Sequence, residues 1–234
     1  MKTALVTGAN KGIGLEVVKI LAQSGFHVYL GTRDLNNASN LNLTNVEPIQ
    51  LDVTDPASVE RARKSITRLD VLVNNAGISG VLEQNALTNT IDDFKTVFDT
   101  NLYGVIRVTQ AFIDLLKQSS APRIVNVSTA MASLSQAADI TNPHYPKRYV
   151  VYQSSKAALN MYTINLAYEL QDTAFKVNAV CPGYTKTDFT NHQGTSTVEE
   201  AGQRIAKYAL LDQDGPTGKF FSEEYFPAPA TCPW

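Results

Sequence analysis

The sequence predicts a doubly wound α/β fold, a mainly parallel sheet of seven strands with helices on both faces, in a single domain spanning residues 1–234. Three observations carry this expectation. Short apolar runs alternate along the chain with longer segments whose apolar residues recur every three or four positions, the pattern of strands between helices. The strand-like runs are apolar almost throughout, as expected of a sheet covered on both sides. The first of them, Ala4-Leu5-Val6, stops at glycines 8, 12 and 14, and a helical pattern follows (Ile13, Val17, Ile20, Leu21). Strand, glycine loop and helix in that order let a backbone approach a diphosphate with free N–H groups; an ordinary structural turn is the plainer alternative.

Taken in order, a second strand is expected over Phe26–Gly31, ending at Thr32-Arg33-Asp34, and a loop or short helix over the asparagine-rich Asn36–Asn45. Val46–Leu51 reads as the third strand, closed by Asp52. Asp55 as N-cap and Pro56 at the first helical position open the next helix. Leu69–Val73 is the fourth strand and runs into Asn74-Asn75-Ala76-Gly77. An excursion over Val81–Asn89 precedes a long helical region, Ile91–Gln118, in one or two pieces. The fifth strand, Arg123–Val127, ends at Ser128. Residues 131–149 are irregular and hold Pro143 and Pro146, which oppose a continuous helix. A helix over Val151–Leu170, a strand over Phe175–Val180, a break at Pro182-Gly183, a helix over Val198–Leu210 and a seventh strand over Gly218–Ser222 complete the pattern. Prolines 227, 229 and 233 suggest a loose tail over 225–234.

Composition narrows the function classes. The net charge of -2, with no block of one sign, gives no support to an extended nucleic-acid surface. No apolar window approaches the length of a membrane span, and the N-terminus enters a strand with no basic-then-apolar leader, so a cytoplasmic protein is expected. The cysteines, 181 and 232, have no metal-ligand spacing; Cys181 is expected to be a buried thiol and Cys232 an exposed tail residue. Histidines 27, 144 and 192 are scattered, so no metal site is expected.

In doubly wound sheets ligands bind beyond the carboxyl ends of the strands, and polar or glycine residues recur at those ends here. Tyr152 and Lys156, four apart in the helix after Ser128, share a face. A tyrosine near pKa 10 exchanges its proton poorly at neutral pH, and a neighbouring ammonium favours the phenolate. The pair therefore suits a general acid or base, with the Ser128 hydroxyl able to hold a carbonyl oxygen. At the end of the second strand, where NAD-specific sites place a carboxylate, stands Thr32 followed by Arg33, a fork suited to a 2′-phosphate. Lys11 adds a second positive group. Asp34, one or two residues on, is the complication.

From Thr3 to Phe221 the chain resembles the short-chain dehydrogenase/reductase family, and within it the NADPH-preferring carbonyl reductases. Thr7-Gly8-Ala9-Asn10-Lys11-Gly12-Ile13-Gly14 resembles the family's cofactor loop. Asn75, Ala76 and Gly77 resemble its segment bordering the adenine ribose, and Asp52-Val53 its adenine-contact pair, although Asp52 capping a turn is the alternative. Asn101 matches the asparagine that positions a water beside the catalytic lysine. Ser128, Tyr152 and Lys156 match the catalytic serine and the YxxxK pair, and Pro182, Gly183, Thr185 and Thr187 the segment over the nicotinamide. The resemblance implies a Rossmann-type fold, NADP(H) as cofactor, and hydride transfer to a carbonyl. In that scheme Tyr152 supplies the proton, Ser128 holds the oxygen, and Lys156 lowers the Tyr152 pKa and holds the nicotinamide ribose.

Twenty-three residues separate Ser128 from Tyr152, more than in most members. In carbonyl-reductase-like members an insertion here covers a dimer-forming face, so a monomer is expected, with a dimer as the alternative. The insertion, 131–149, is expected to offer Met131, Tyr145 and Tyr149 to the pocket, with Tyr184 and Phe189 as an apolar lid, suiting a ketone, aldehyde or quinone as the small-molecule partner. Three rival functions stay open: an alcohol dehydrogenase working oxidatively, an epimerase or dehydratase, and a non-catalytic NADP-binding regulator.

Overall fold

A computed structural model of the protein describes residues 1–38, 41, 43–141 and 148–234. Seven parallel strands form one sheet in the order β3-β2-β1-β4-β5-β6-β7. They are β1 Thr3–Val6, β2 His27–Thr32, β3 Val46–Gln50, β4 Val71–Asn74, β5 Arg123–Val127, β6 Lys176–Val180 and β7 Lys219–Phe221. The strand order reverses between β1 and β4, whose register pairs Leu5 with Leu72. A crevice therefore opens above their carboxyl ends.

Side-chain alternation makes each strand serve two cores. Ala4 and Val6 of β1 face one way and pack with Val28, Leu30, Val73 and Val125 under α1 (Gly12–Gln23) and α7 (Val198–Ala209). Leu5 faces the other way, with Leu72, Ile124 and Val177, under α2 (Pro56–Ser65) and the helix carrying Val108 and Phe112. Fully buried Arg123, at the start of β5, is matched by backbone carbonyls alone: its guanidinium donates to those of Leu211, Pro122, Ala174 and Asp212 at 2.7–3.1 Å. This cluster lies at the edge of the sheet away from the crevice.

The expected elements are present, most with ends moved by one or two residues. The Asp55 carboxylate accepts from the Ala57 N–H as the N-cap of α2. The long helical region is one rod in three parts: α3 (Ile91–Phe98), a wide π turn over Asp99–Tyr103, and α4 (Gly104–Leu116). The asparagine-rich stretch begins with a 3-10 turn, Leu35–Ala38. A 3-10 turn (Ala130–Ala132) and short α5 (Leu134–Ala138) open the insertion, and α6 runs Val150–Glu169. No helix among the described residues is long and apolar enough to cross a membrane.

Two expectations are corrected. Residues 225–234 are not loose: the Cys232 N–H donates to the Phe220 carbonyl, Thr231 bridges to Phe221, and Trp234 stacks on Phe220 with ring centroids 5.5 Å apart. Cys232 is accordingly buried at 1 % exposure rather than exposed, in a small core with Ala130, Ala179, Cys181 and Phe220. Cys232 and Trp234 cover an apolar patch on Phe220 of β7.

Candidate active site

The loop after β1 is held by the loop after β4. The Thr7 hydroxyl accepts the N–H groups of Asn75 and Ala76, each at 3.0 Å, and the Asn75 amide donates to the carbonyls of Thr7 and Gly8. Gly8 adopts φ +60°, and a Cβ there would lie 2.9 Å from Ala76 Cα. At Gly14 a Cβ would meet Asn75 Nδ2 at 2.5 Å and the Gly8 carbonyl at 2.7 Å. Helix α1 starts at Gly12 with Lys11 as an N-cap that supplies no side-chain bond to its first N–H groups. The cradle fits a diphosphate, with Gly8, Asn10, Lys11, Gly12, Ile13 and Gly14 along its edge. The Asn75 side chain thereby braces the glycine loop.

At the end of β2, Thr32 is buried and Arg33 exposed, its guanidinium without a partner among the described residues. The Asp34 carboxylate accepts from the Asn36 N–H at 2.9 Å within its own turn. The Asp52 carboxylate likewise accepts from the N–H and hydroxyl of Thr54, so it caps a turn, while Val53 is buried against α4.

Tyr152 and Lys156 occupy the first turns of α6, where three amides fix the frame. Gln84 of the excursion accepts from the Tyr152 N–H at 3.0 Å and donates to the carbonyls of Ser79 and Val81. Gln153 accepts from the Tyr149 N–H and donates to the Met131 carbonyl. Asn101, in the π turn and fully buried, accepts from the Ile78 N–H and donates to the Ile78 carbonyl and the Ser155 hydroxyl. A Cβ on Gly77 would lie 3.3 Å from Asn101 Oδ1 and 3.6 Å from Lys156 Nζ, so these three meet at one corner.

Burial dominates the electrostatics of the pair. It pushes Lys156 down to about 8, the ammonium being 4 % exposed and donating to the Val127 carbonyl at 2.8 Å. Burial raises the Tyr152 phenol well above its ordinary value, and nearby Cys181 acts in the same direction; the Thr129 hydroxyl lies against the phenol and favours the phenolate. The phenol therefore keeps its proton at neutral pH.

The two hydroxyls after β5 point to different places. Asn126 and Ser128, two apart, both face α6: the Asn126 amide donates to Thr163 and the Ser128 hydroxyl to Asn160 Oδ1 at 2.7 Å. Ser128 is 1 % exposed. Thr129, in extended backbone, alternates to the other side and is half-buried beside Tyr152. Sequence reasoning passed over Thr129, although the adjacent Ser-Thr pair, read with strand alternation, held the signal.

The segment after β6 forms a lid. Thr185 pairs with Ser196, closing the base of a loop over 184–196. Glu224, after β7, accepts from the Tyr184 N–H at 2.6 Å and from the hydroxyls of Thr195 and Ser196; Arg204 donates to the Pro182 carbonyl and to Ser196. Gly183 has φ +91°, and the guanidinium and carboxylate would both collide with a Cβ there. The Thr185 hydroxyl serves this turn through the Gly183 carbonyl, and Thr187 opens the tip turn Asp188–Thr190. At the tip, the Phe189 ring packs on Tyr152 with centroids 5.6 Å apart, and Asp188 pairs with Lys11 at 2.6 Å. Tyr184 is exposed, Met131 joins the Cys181 core, and Tyr149 caps α6; Tyr145 lies outside the described residues. The contacts that bring Glu224, Gln84 and Asp188 to the site had no local signal, since Ser196, Tyr152 and Lys11 lie 28, 68 and 177 positions away.

Comparison with known proteins agrees with this construction. The family model described as short chain dehydrogenase matches residues 2–197. The chain is 34 % identical to (+)-neomenthol dehydrogenase of Arabidopsis thaliana over 285 aligned positions, covering 94 % of this chain and 96 % of that one. Those positions outnumber the 234 residues here, so the relative carries segments this chain lacks. Among solved structures, the NADPH-bound carbonyl reductase from chicken fatty liver superimposes with a TM-score of 0.85 at 28 % identity, covering 100 % of this chain and 99 % of the other. Salutaridine reductase from Papaver somniferum follows with a TM-score of 0.82 at 31 % identity over 95 % and 100 % of the two chains. With the reversed strand order, the braced glycine loop and the Tyr152/Lys156 pair, these matches make the chain a member of the short chain dehydrogenase family.

Proposed function

We propose that the protein is an NADPH-dependent oxidoreductase that reduces the carbonyl of an apolar ketone, aldehyde or quinone to an alcohol. The observation that carries this is the protonated, half-buried Tyr152 phenol, raised by its surroundings and set beside Lys156 at the mouth of a glycine cradle. Bound NADPH would supply the hydride. The chain's own residues bind, orient and move one proton. Tyr152 Oη donates to the carbonyl oxygen as charge develops there, so the alkoxide never forms unassisted. Lys156, Asn101 and Gly77 would form the wall that holds the nicotinamide ribose, and Pro182, Gly183, Thr185 and Thr187 would cover the nicotinamide. Arg33, without a partner among the described residues at the end of β2, would take the 2′-phosphate, and Asp52, Val53, Ala76 and Asn75 would surround the adenosine.

The hydroxyl that shares the substrate oxygen with Tyr152 is Thr129. Ser128 braces α6 through Asn160 and is closed to substrate. Phe189, Tyr184, Met131 and Tyr149 offer the apolar lining, which agrees with the chicken relative's description as a carbonyl reductase. The relative named as a neomenthol dehydrogenase favours a second reading, alcohol oxidation. A phenol that keeps its proton at neutral pH favours reduction there and oxidation in alkali. The monomer expectation belongs to the same proposal, and a concentration series in solution scattering tests it, a stable tetramer overturning it.

The functional test is a carbonyl panel assayed with NADPH and NADH, alongside Tyr152→Phe. Turnover with NADPH that disappears in the phenylalanine variant is expected. Undetectable turnover with both nucleotides across the panel would sink the reductase reading, and NADH use indifferent to Arg33→Ala would sink the cofactor assignment.

A further inference from the structure

Lys11 and Asp188 are 177 positions apart in the chain, yet their side chains close a 2.6 Å ion pair across the top of the cofactor cradle. Lys11 caps α1 in the glycine loop, and Asp188 opens the turn at the tip of the lid. The contact is a seam: Thr187 Cγ2 approaches within 3.7 Å of the place a Cβ would take on Gly12, and Phe189 next door packs on Tyr152. Lys11 and the His192 ring both lower the Asp188 carboxylate from its ordinary value, the Lys11 hydrogen bond most strongly. The base of the lid, by contrast, is fixed by Glu224 and Arg204. The lid is thus firm at its base and held at its tip by one solvent-exposed ion pair and one ring contact.

A nucleotide lying between the glycine loop and Tyr152 must pass beneath this seam, and its phosphates compete for the same ammonium. We propose that Lys11–Asp188 is a latch on the lid, and that Asp188 sets nucleotide affinity by competing with a cofactor phosphate for Lys11. The inference rests on the nucleotide site proposed above. Releasing the tip also lifts Phe189 from Tyr152, so the substrate face opens when the nucleotide enters. Both partners are largely exposed, at 67 % and 58 %, so the competition is worth a modest factor, about two- to fivefold in affinity, and weakens with salt.

Two measurements test it. In nucleotide-free protein, trypsin cleavage after the exposed lid residue Lys186 should be faster in Asp188→Asn than in the wild type, and Asp188→Glu should restore protection. In titrations followed by nucleotide fluorescence, Asp188→Asn should bind NADPH about two- to fivefold more tightly at low salt, with the difference shrinking at high salt. A gain confined to NADPH places Lys11 on the 2′-phosphate, and an equal gain with NADH places it on the diphosphate; either supports the competition. Unchanged cleavage together with unchanged or weaker NADPH binding in Asp188→Asn overturns the latch while leaving the nucleotide site standing. Failure of the wild type to bind either nucleotide overturns the underlying reading instead, whatever the cleavage shows.

Discussion

Replacing Thr129 with valine keeps the shape of the side chain and removes one hydroxyl, which makes it the cleanest perturbation of the proposed site. If that hydroxyl donates to the developing alkoxide beside Tyr152, its loss should cost at least about 100-fold in kcat, the lower end of what one missing oxyanion donor costs, because Tyr152 still donates. A second effect follows from the electrostatics. Thr129 favours the phenolate and valine does not, so the Tyr152 pKa moves further up and the phenol stays protonated across the assayed range. The Met131 N–H also loses the acceptor it finds on Thr129 at 3.3 Å, which costs about 1 kcal/mol of stability. Thr129→Ser should recover most of the rate. Ser128→Ala is the companion variant: it strips Asn160 Oδ1 of a buried donor and should lower stability by about 1–3 kcal/mol, with kcat within about threefold of the wild type. Steady-state kinetics from pH 6 to 10 and urea unfolding read all of these. A Ser128→Ala enzyme that loses as much kcat as Thr129→Val, at unchanged stability, would refute the assignment.

Three further outcomes are expected. Lys156 is pushed down to about 8 by burial from an ordinary 10.5, so between those values the unfolded chain binds more protons than the folded one and stability rises with pH. Below pH 8 the buried charge exerts its full penalty. Lys156→Met should therefore abolish turnover yet leave Tm at pH 7 no lower than in the wild type, and it should flatten that alkaline rise; a large drop in Tm contradicts this. Gly14→Ala drives a methyl into Asn75 Nδ2 and the Gly8 carbonyl, and should weaken nucleotide binding at least tenfold at a stability cost of about 1–3 kcal/mol, measured by titration and urea melts. Arg123→Met leaves four backbone carbonyls, that of Pro122 buried, short of a charged donor far from the crevice. It should destabilise by about 2–4 kcal/mol in urea with KM for NADPH unchanged, and a catalytic defect at full stability would argue against its structural role.

What could be read from the sequence was whatever is written locally. Ala4-Leu5-Val6 before glycines 8, 12 and 14 is a local pattern, as is Tyr152 four residues before Lys156, and both lie where they were expected. Element ends drifted because ladder bonds rather than apolarity set them: the Thr32 carbonyl still pairs with the Leu51 N–H, although the apolar run ends earlier. The rest depended on partners distant in sequence. Asp34 was ambiguous until its carboxylate was seen capping its own turn, and residues 225–234 looked loose because the patch that Trp234 and Cys232 cover is made by β7 and the turn after Thr129. Ser128 over Thr129 was a decision between neighbours that only the direction of β5 could make.

The wide turn at Asp99–Tyr103 bears on how the site tolerates length changes. Val97, Asn101 and Val105 all point inward, eight residues in two turns, where an α-helix would use fewer. The turn thus behaves as a spacer one residue thick within a rod whose two ends are already seated, α3 through Val97 and α4 through Val108 and Phe112. Deleting Asn101 would let the rod wind as an ordinary helix, with both apolar faces still aligned. Only the inward amide would be lost, and with it the bracket joining Ile78 to Ser155. A shortened chain of this kind should fold normally while the corner shared by Gly77 and Lys156 slackens, so that the architecture and the chemistry come apart at a single peptide unit.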